Sequence, residues 1–416
     1  MERAKLIVKN FGPLKDIEIE VREMVTFIGA QASGKSTLAK LISILEDEEF
    51  RKDDSISFEE ELKKYNIHSF LNNKSHINYC REAKGVFYEF TLENNTSKKV
   101  DYRENLIKNL SGIVTKEKGE ILDSLLDTDL DNIRFKNIKE SKLFVKELKE
   151  IISDAYSKND TTKVYDFFIE KYDQLISKYG AYLKFDSIYI PTERNILHII
   201  STNALGLINN NIQIPKHLLN SGQDYEKAIN TIKELPLNII DKKIKYKREG
   251  KTSYIYHNEN EKVDLLESAS GLQSVIPILL LVEYSKSLKE NYNFNFVVEE
   301  PELNLYPKAQ HELIKYLIKN CLFDRKNLIL TTHSPFVLAS INNLLLAYSK
   351  GKKSPTEVNK IIKKESWLNP KNFIAYELKN GKAKLIMDDK LGQIAENMID
   401  GVSDTFADEF DKLLDL

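Results

Sequence analysis

Three observations predict an α/β fold. Short strands rich in β-branched residues open the chain, a glycine turn leads from the third of them straight into an amphipathic helix, and apolar strand candidates alternate with helical segments in the second half. From Lys5 to Ile28 the segments KLIVK, DIEIEV and MVTFIG read as strands, separated by Gly12-Pro13 and Arg22-Glu23. TLAKLISIL then has the apolar spacing of a helix ending near Leu45. After Glu46 the chain becomes rich in Lys, Glu, Asp and Asn. Helical periodicity appears in ENLIKNLSGIV, SKLFVKELKEIISDAY and VYDFFIEKYDQLISKY, with one strand-like stretch, GVFYEFTL. This region predicts a mainly helical insertion without the sustained heptads of a coiled-coil arm. The core pattern resumes at FDSIYIPTERN, and KIKYKREG with TSYIYH reads as a hairpin. FNFVVEE, NLILTT and LLLAYS read as strands with helices between them, and FIAYELKNGKAKLIMDD with the following helix as a final hairpin and cap. The expected division is 1–45, 46–184, 185–349 and 350–416.

Composition narrows the partners. A chain of 416 residues, 42% hydrophobic, buries at least one substantial core. Lys+Arg 61 against Asp+Glu 63 leaves a net charge of −2, so no global field draws the protein to nucleic acid or an anionic membrane. Cys80 and Cys321 lie far apart, outside any CxxC or Cys/His cluster, which suits a reducing compartment and no structural zinc. The N-terminus lacks a signal-peptide pattern, and the longest apolar run, Val275 to Val282, is too short to span a membrane. A soluble, cytoplasmic protein is expected.

Four motifs carry chemistry. Gly29-Ala30-Gln31-Ala32-Ser33-Gly34-Lys35-Ser36 fits GxxxxGK[ST], with Thr37 following, between a strand and a helix. In that pattern backbone amides cradle a β-phosphate, Lys35 neutralises β/γ charge, and the Ser36 hydroxyl holds Mg²⁺ at a helix N-terminus. Phe296-Val297-Val298-Glu299-Glu300-Pro301-Glu302 is an apolar strand ending in carboxylates; Glu299 is the metal-side candidate and Glu300 the general base. Thr331-Thr332-His333-Ser334-Pro335 puts His333 at a strand's C-terminal edge, where open α/β sheets bind ligands and where an imidazole can sense a γ-phosphate. Ser268-Ala269-Ser270-Gly271-Leu272-Gln273 precedes the helical SVIPILLLVEY. Alone it is an ordinary N-cap; beside the other motifs its free amides suit a phosphate.

In this order, GxxxxGKS, SxSGxQ, φφφEEPExxLxP and TTHSP resemble the ATPase heads of the ABC superfamily. EEPELNLYP (Glu299 to Pro307), THSPFVL (Thr332 to Leu338), NFGPLKDIEIEV and YIPTERN are similar to its OLD-like and SMC-like branch. The resemblance covers residues 1–45 and about 185–345. It implies an ABC-type P-loop head binding ATP and Mg²⁺, and a head-to-tail dimer in which Ser270, Gly271 and Gln273 close on the γ-phosphate held by the partner. Glu302 and Asn304 then fall in the D-loop at the dimer interface. The chain departs from the pattern at Ala269, where a signature serine is usual and Ser268 or Ser270 substitutes. It also lacks an obvious Q-loop glutamine, with Glu193 or Gln174 as stand-ins.

OLD nucleases carry a Toprim domain after this head. The stretch after His333 is short, and Asp388-Asp389 lacks DxD spacing, so nuclease chemistry is not expected. The leading expectation is a regulatory ATPase of a bacterial antiphage defence system, similar to those of the PARIS, Septu and retron-associated types. It would self-assemble as a homodimer or larger oligomer, control a separately encoded effector, and answer to a phage-encoded trigger. The alternative is a DNA-repair or chromosome-maintenance ATPase of the RecF or SMC kind. The basic stretches Lys242 to Lys251 and Lys350 to Lys364 read as solvated faces without an interleaved aromatic platform. A transporter subunit is disfavoured by the long spacing between Lys35 and Gly271.

Overall fold

The computed structural model describes residues 3–47, 50–51, 55–83, 86–100, 185–209, 214–288, 293–322, 327–388 and 390–415, with isolated positions between 143 and 171. Its centre is an eleven-stranded sheet. Strands β1 (Arg3–Phe11), β2 (Leu14–Val21) and β3 (Met24–Gly29) come first, and β3 runs through the glycine turn into helix α1 (Lys35–Glu46). Helix α2 (Phe58–Lys64) follows, opened by a capping box in which Ser57 and Glu60 satisfy each other's backbone N–H.

Within the expected insertion GVFYEFTL forms a strand as read, and the segments on either side of it add two strands that the reading did not include. β4 (His76–Ala83), β5 (Val86–Glu93) and β6 (Thr96–Val100) form an antiparallel meander that continues the main sheet from β1, with Leu6 opposite Tyr79. In HINYCREA the inward positions are Ile77, Tyr79 and Arg81, so a buried arginine cuts the apolar period-2 series to two residues. Glu46 at the end of α1 binds Arg81 on β4 and accepts a 2.8 Å hydrogen bond from Asn295, tying the meander to the core. Of the helical candidates from Glu104 to Tyr179, only Leu143, Lys146, Glu147, Glu150, Asp154 and Lys171 are described, each in helical conformation, and Gln174 lies outside the described residues.

β7 (Phe185–Ile190) leads through a 3-10 turn, Thr192–Ile196, into α3 (Leu197–Asn209) and α4 (Lys216–Thr231). A separate four-stranded sheet follows, made of β8 (Glu234–Pro236), β9 (Lys245–Glu249), β10 (Thr252–Tyr256) and β11 (Lys262–Asp264). It delivers the chain into α5 (Ser270–Ser287). Then β12 (Asn293–Glu299), α6 (Pro307–Cys321), β13 (Asn327–Thr332) and α7 (Pro335–Gly351) alternate. LLLAYS, expected as a strand, is the interior of α7. Ser334 caps that helix, and Val337, Leu338, Ile341, Leu344 and Leu345 are buried at helical spacing, a period that the short apolar run alone does not distinguish from a strand. After α8 (Pro355–Ile361) come β14 (Phe373–Lys379), β15 (Lys382–Leu385), the small hairpin β16 (Met387–Asp388) with β17 (Gln393–Ile394), and α9 (Asp400–Leu414). β14 and β15 form the expected antiparallel hairpin, and it lies inside the main sheet, whose order is β6-β5-β4-β1-β2-β15-β14-β3-β13-β12-β7.

The strands β14, β3, β13, β12 and β7 are mutually parallel. Their alternate side chains feed two cores. Ile28, Val298, Leu330 and Phe373 pack with α4 to α7 on one face, while Phe27, Val297, Ile329 and Ile374 pack with α1 and the antiparallel strands on the other. Burial on both faces explains why these strands read as nearly continuous apolar runs.

Candidate nucleotide site

The parallel register brings four strand ends to one edge. Ile28 lies level with Thr332, Thr331 with Glu299, and Val298 with Ile190, so the turns after β3, β13, β12 and β7 line up side by side. Ligands bind at such an edge because helix N-termini and free backbone amides collect there.

At the turn after β3, Gly29 and Gly34 have φ of 154° and 100°. A Cβ at Gly29 would stand 2.5 Å from the Leu378 carbonyl, and one at Gly34 would stand 2.5 Å from Leu14 Cδ2, so the loop has no space for side chains at either position. Ala32 also takes a positive φ of 58°. Ala30, Gln31, Ala32 and Ser36 are exposed, whereas Gly34, Lys35 and Thr37 are buried. Lys35 Nζ donates to the carbonyls of Gly29 at 2.9 Å and Ala30 at 3.0 Å, folded back into its own loop. Burial lowers the pKa of this ammonium, and the nearby Glu300, Glu299 and Glu302 oppose the shift. Ser33 Oγ is buried with no hydrogen-bond partner among the described residues.

Glu299 ends β12 and is only 2% exposed. Burial raises its pKa; the charge of Lys40 and the hydroxyls of Ser36 and Tyr189 pull the other way. Its Oε1 and the Tyr189 hydroxyl are buried without a partner that meets hydrogen-bond geometry among the described residues. An orphaned carboxylate oxygen beside the Ser36 hydroxyl at a helix N-terminus is a hard, oxygen-only donor set. It fits Mg²⁺, which takes one or two carboxylates and completes its shell with water and phosphate.

Glu300 occupies the left-handed region, φ 42°. That strain is held by bonds on both sides: its N–H donates to the Thr331 carbonyl at 2.9 Å, and its carbonyl accepts from Arg194 at 2.7 Å. The carboxylate lies 3.3 Å from His333 Nε2. Burial and the charge of Lys35 lower the His333 pKa, which leaves the imidazole neutral at pH 7 despite Glu300. Glu302 turns its carboxylate inward, accepting from Thr332 Oγ1 at 2.7 Å and from the His333 N–H at 2.8 Å. It thus fastens the segment after β12 to the histidine turn.

Arg194 is the residue that sequence reasoning missed. It is fully buried, and its guanidinium donates to four carbonyls, those of Ser274 (2.9 Å), Pro191 (3.2 Å), Glu299 (2.8 Å) and Glu300 (2.7 Å). Burial pushes its pKa down to about 10, with Glu302, Glu300 and Glu299 opposing, so it stays charged. Glu193, the expected stand-in beside it, is exposed and, among the described residues, accepts a local hydrogen bond from Thr192. The usable signal was the phrase YIPTERN itself, an arginine placed directly after an apolar strand.

The SxSGxQ turn is built differently. Ala269 and Ser270 are exposed, and Gln273 Nε2 donates back to the carbonyls of Leu266 and Ser268, closing the turn on itself. A Cβ at Gly271 would stand 2.7 Å from the Asn304 carbonyl, so glycine here lets α5 lie against the segment after β12. Asn304 has φ 60° and donates to Ser274 Oγ at 3.2 Å. Among the described residues no hydrogen bond joins Ser270, Gly271 or Gln273 to residues 29–37.

Asp388 Oδ1 accepts from the N–H groups of Lys390 and Leu391, an Asx turn between β16 and β17, while Asp389 lies outside the described residues. No helix among the described residues is long and apolar enough to cross a membrane.

Solved structures similar to this chain include the Smc head domain with an extended coiled coil, bound to the C-terminal domain of ScpA, from Pyrococcus furiosus. It is 12% identical, with 93% of this chain and 96% of that one covered and a TM-score of 0.38. The SMC head domain from Thermotoga maritima gives 12%, 93%, 98% and 0.38 for the same quantities. The Smc head with coiled coil and joint from Pyrococcus yayanosii gives 9%, 94%, 98% and 0.40. A comparison with curated proteins gave no match. The family profile described as AAA ATPase domain matches residues 1–338, a span that holds the glycine loop, the carboxylate strand end and the histidine turn, and the chain belongs to that family.

Proposed function

We propose that this chain is an ATP-hydrolysing switch of the ABC type whose two nucleotide sites are completed only when two copies meet head to tail. One observation carries the reading. The loop of Lys35, the carboxylates of Glu299 and Glu300, and His333 converge on one sheet edge, while Ser270 is exposed and its turn makes no hydrogen bond to residues 29–37 among the described residues. On this reading Lys35 exchanges two carbonyls of its own loop for phosphate oxygens. Glu300 orients the attacking water and accepts its proton, and the neutral His333 keeps the Glu300 carboxylate in place and contacts the γ-phosphate. Ser36 and Glu299 would hold Mg²⁺, whose charge supports the phosphates in the transition state. Ser270, Gly271 and the free amides of α5 would close on the nucleotide of the partner.

The biological setting we propose is antiphage defence, with the chain as the nucleotide-controlled scaffold of a separately encoded effector. Its support is the likeness of EEPELNLYP and THSPFVL to the OLD-like branch. A second reading, an ATPase acting directly on DNA, gains from an unexpected face. Lys245, Lys247 and Lys262 stand within 6.0 Å of the Tyr256 ring centroid, and Lys262 lies 4.2 Å from that of Tyr254, so aromatics do interleave with lysines. Glu234 and Glu249 pair with those lysines and offset their charge. DNA binding that falls steeply with salt and is lost in Tyr256→Ala would favour this second reading.

The deciding experiment is the mass of purified Glu300→Gln with and without Mg-ATP, together with its turnover. Removing the base lowers turnover about 100-fold or more and traps an ATP-loaded dimer. Turnover at the parental rate would remove Glu300 from its role, and a monomer indifferent to ATP would end the composite-site reading.

A further inference from the structure

We propose that helix α9 docks on a basic, partly apolar cleft of a second copy of this chain, forming a reciprocal dimer that needs no nucleotide. The helix exposes Val402, Phe406, Phe410, Leu413 and Leu414, each between 46% and 69% accessible. Their spacing of four, four and three puts them on one stripe. A 15-residue helix carrying two exposed phenylalanines is marginal by itself and calls for a cover. From Asp400 to Asp415 it carries six carboxylates and one lysine, with Glu409 and Asp411 at the two sides of the stripe.

The complementary surface is on the same chain. A cleft of ≈ 780 Å³ is lined by the apolar Ile318, Leu322, Trp367 and Leu368 and by Lys319, Lys363 and Lys364, against the two carboxylates Glu23 and Glu365. Beside it Ile361 is 83% exposed. From Lys350 to Lys364 there are six lysines and one glutamate, the reverse of the α9 ratio. Lys319 pairs with Glu365, while Lys363 and Lys364 make no ion pair among the described residues. Both surfaces lie largely beyond residue 338, where the family match ends.

A second copy is the occupant because helix and cleft sit at opposite ends of the β3–β14 pair. The start of α9 is pinned where Met398 N–H donates to Glu377, level with Ile28, whereas the cleft opens at Glu23, just before β3 begins. Two copies arranged antiparallel put each helix on the other's cleft. One helix stripe alone buries an area at the low end for a stable interface, and the two-fold arrangement doubles it.

The test is the mass of the full chain at micromolar concentration in low salt with EDTA and no nucleotide, which separates this contact from ATP-driven closure. The expected wild-type species is a dimer that dissociates as salt rises. Phe406→Asp with Phe410→Asp, and separately Lys363→Glu with Lys364→Glu, should weaken association at least tenfold with the far-UV circular dichroism spectrum unchanged. Adding Glu409→Lys and Asp411→Lys to the second pair should restore it. A wild-type monomer, including one with α9 folded onto its own cleft or reserved for a different protein, overturns the proposal. So does a dimer that survives both pairs of substitutions.

Discussion

Two glycine-bearing turns lead into helices in this molecule, and they are built for opposite conditions. The turn before α1 is closed around its own lysine, flanked by three carboxylates and threaded between β14 and the Pro13-Leu14 corner. The turn before α5 exposes Ser270 to solvent, keeps its glutamine for internal hydrogen bonds and uses its glycine to lie against Asn304. The first holds the charges a triphosphate needs. The second offers only amides and a helix dipole, which gain strength when a phosphate is brought to them from outside. Arg194 ties the start of α5 to the carboxylate strand end, because it holds the Ser274 carbonyl and the Glu300 carbonyl together.

Lys35→Ala gives the largest separation between the turns. Loss of a buried, charge-assisted donor should weaken ATP binding about 100-fold in a fluorescent-nucleotide titration, whereas changes in the second turn should leave binding by the monomer intact. Gly271→Ala comes next. Its methyl group meets the Asn304 carbonyl, so α5 must shift, with about 1–3 kcal/mol lost in denaturant melts and turnover falling while monomer ATP affinity holds. If Gly271→Ala weakens nucleotide binding as much as Lys35→Ala, the contrast between the turns collapses. Glu302→Gln should reduce turnover about tenfold with little change in KM, because it weakens a charged acceptor that holds His333 without removing a group that meets the nucleotide.

The smallest effect is on pH. His217 packs against Tyr65 and Tyr189, and burial pushes its pKa down to about 4 from 6.5, with the charge of Lys40 adding to the shift. The unfolded chain therefore takes up a proton below pH 6.5 that the folded chain refuses until about pH 4. Protonation favours unfolding, so this residue's contribution to stability falls as pH drops through that window, at most about 1.4 kcal/mol per pH unit. His217→Gln should flatten the corresponding slope in thermal melts between pH 7 and pH 5.

The readable parts of the site are those whose chemistry is local. GAQASGKS is one contiguous turn, and VVEEPE and TTHSP each combine a strand with its own end, so the pattern names the residues without help from distant segments. Arg194 escaped because its four acceptors come from separate parts of the chain, and backbone carbonyls carry no mark in a sequence. The strand β4 is hidden because one of its inward positions is the charged Arg81, β6 because TSKKV on the sheet edge carries little apolar signal, and LLLAYS because a short apolar run fits either period.

By itself the sequence determined the glycine loop between strand and helix, the acidic strand end, and the alternation that makes a parallel α/β core, since each follows from side-chain size, charge and period within a dozen residues. Tertiary structure alone decided that β14 inserts beside β3, that the meander extends the sheet, and that Glu302 and Arg194 bind the strand ends together. Those outcomes depend on register and on pairing between segments far apart in the chain, where the deciding energy lies in burial on both faces of the sheet and in satisfying backbone carbonyls.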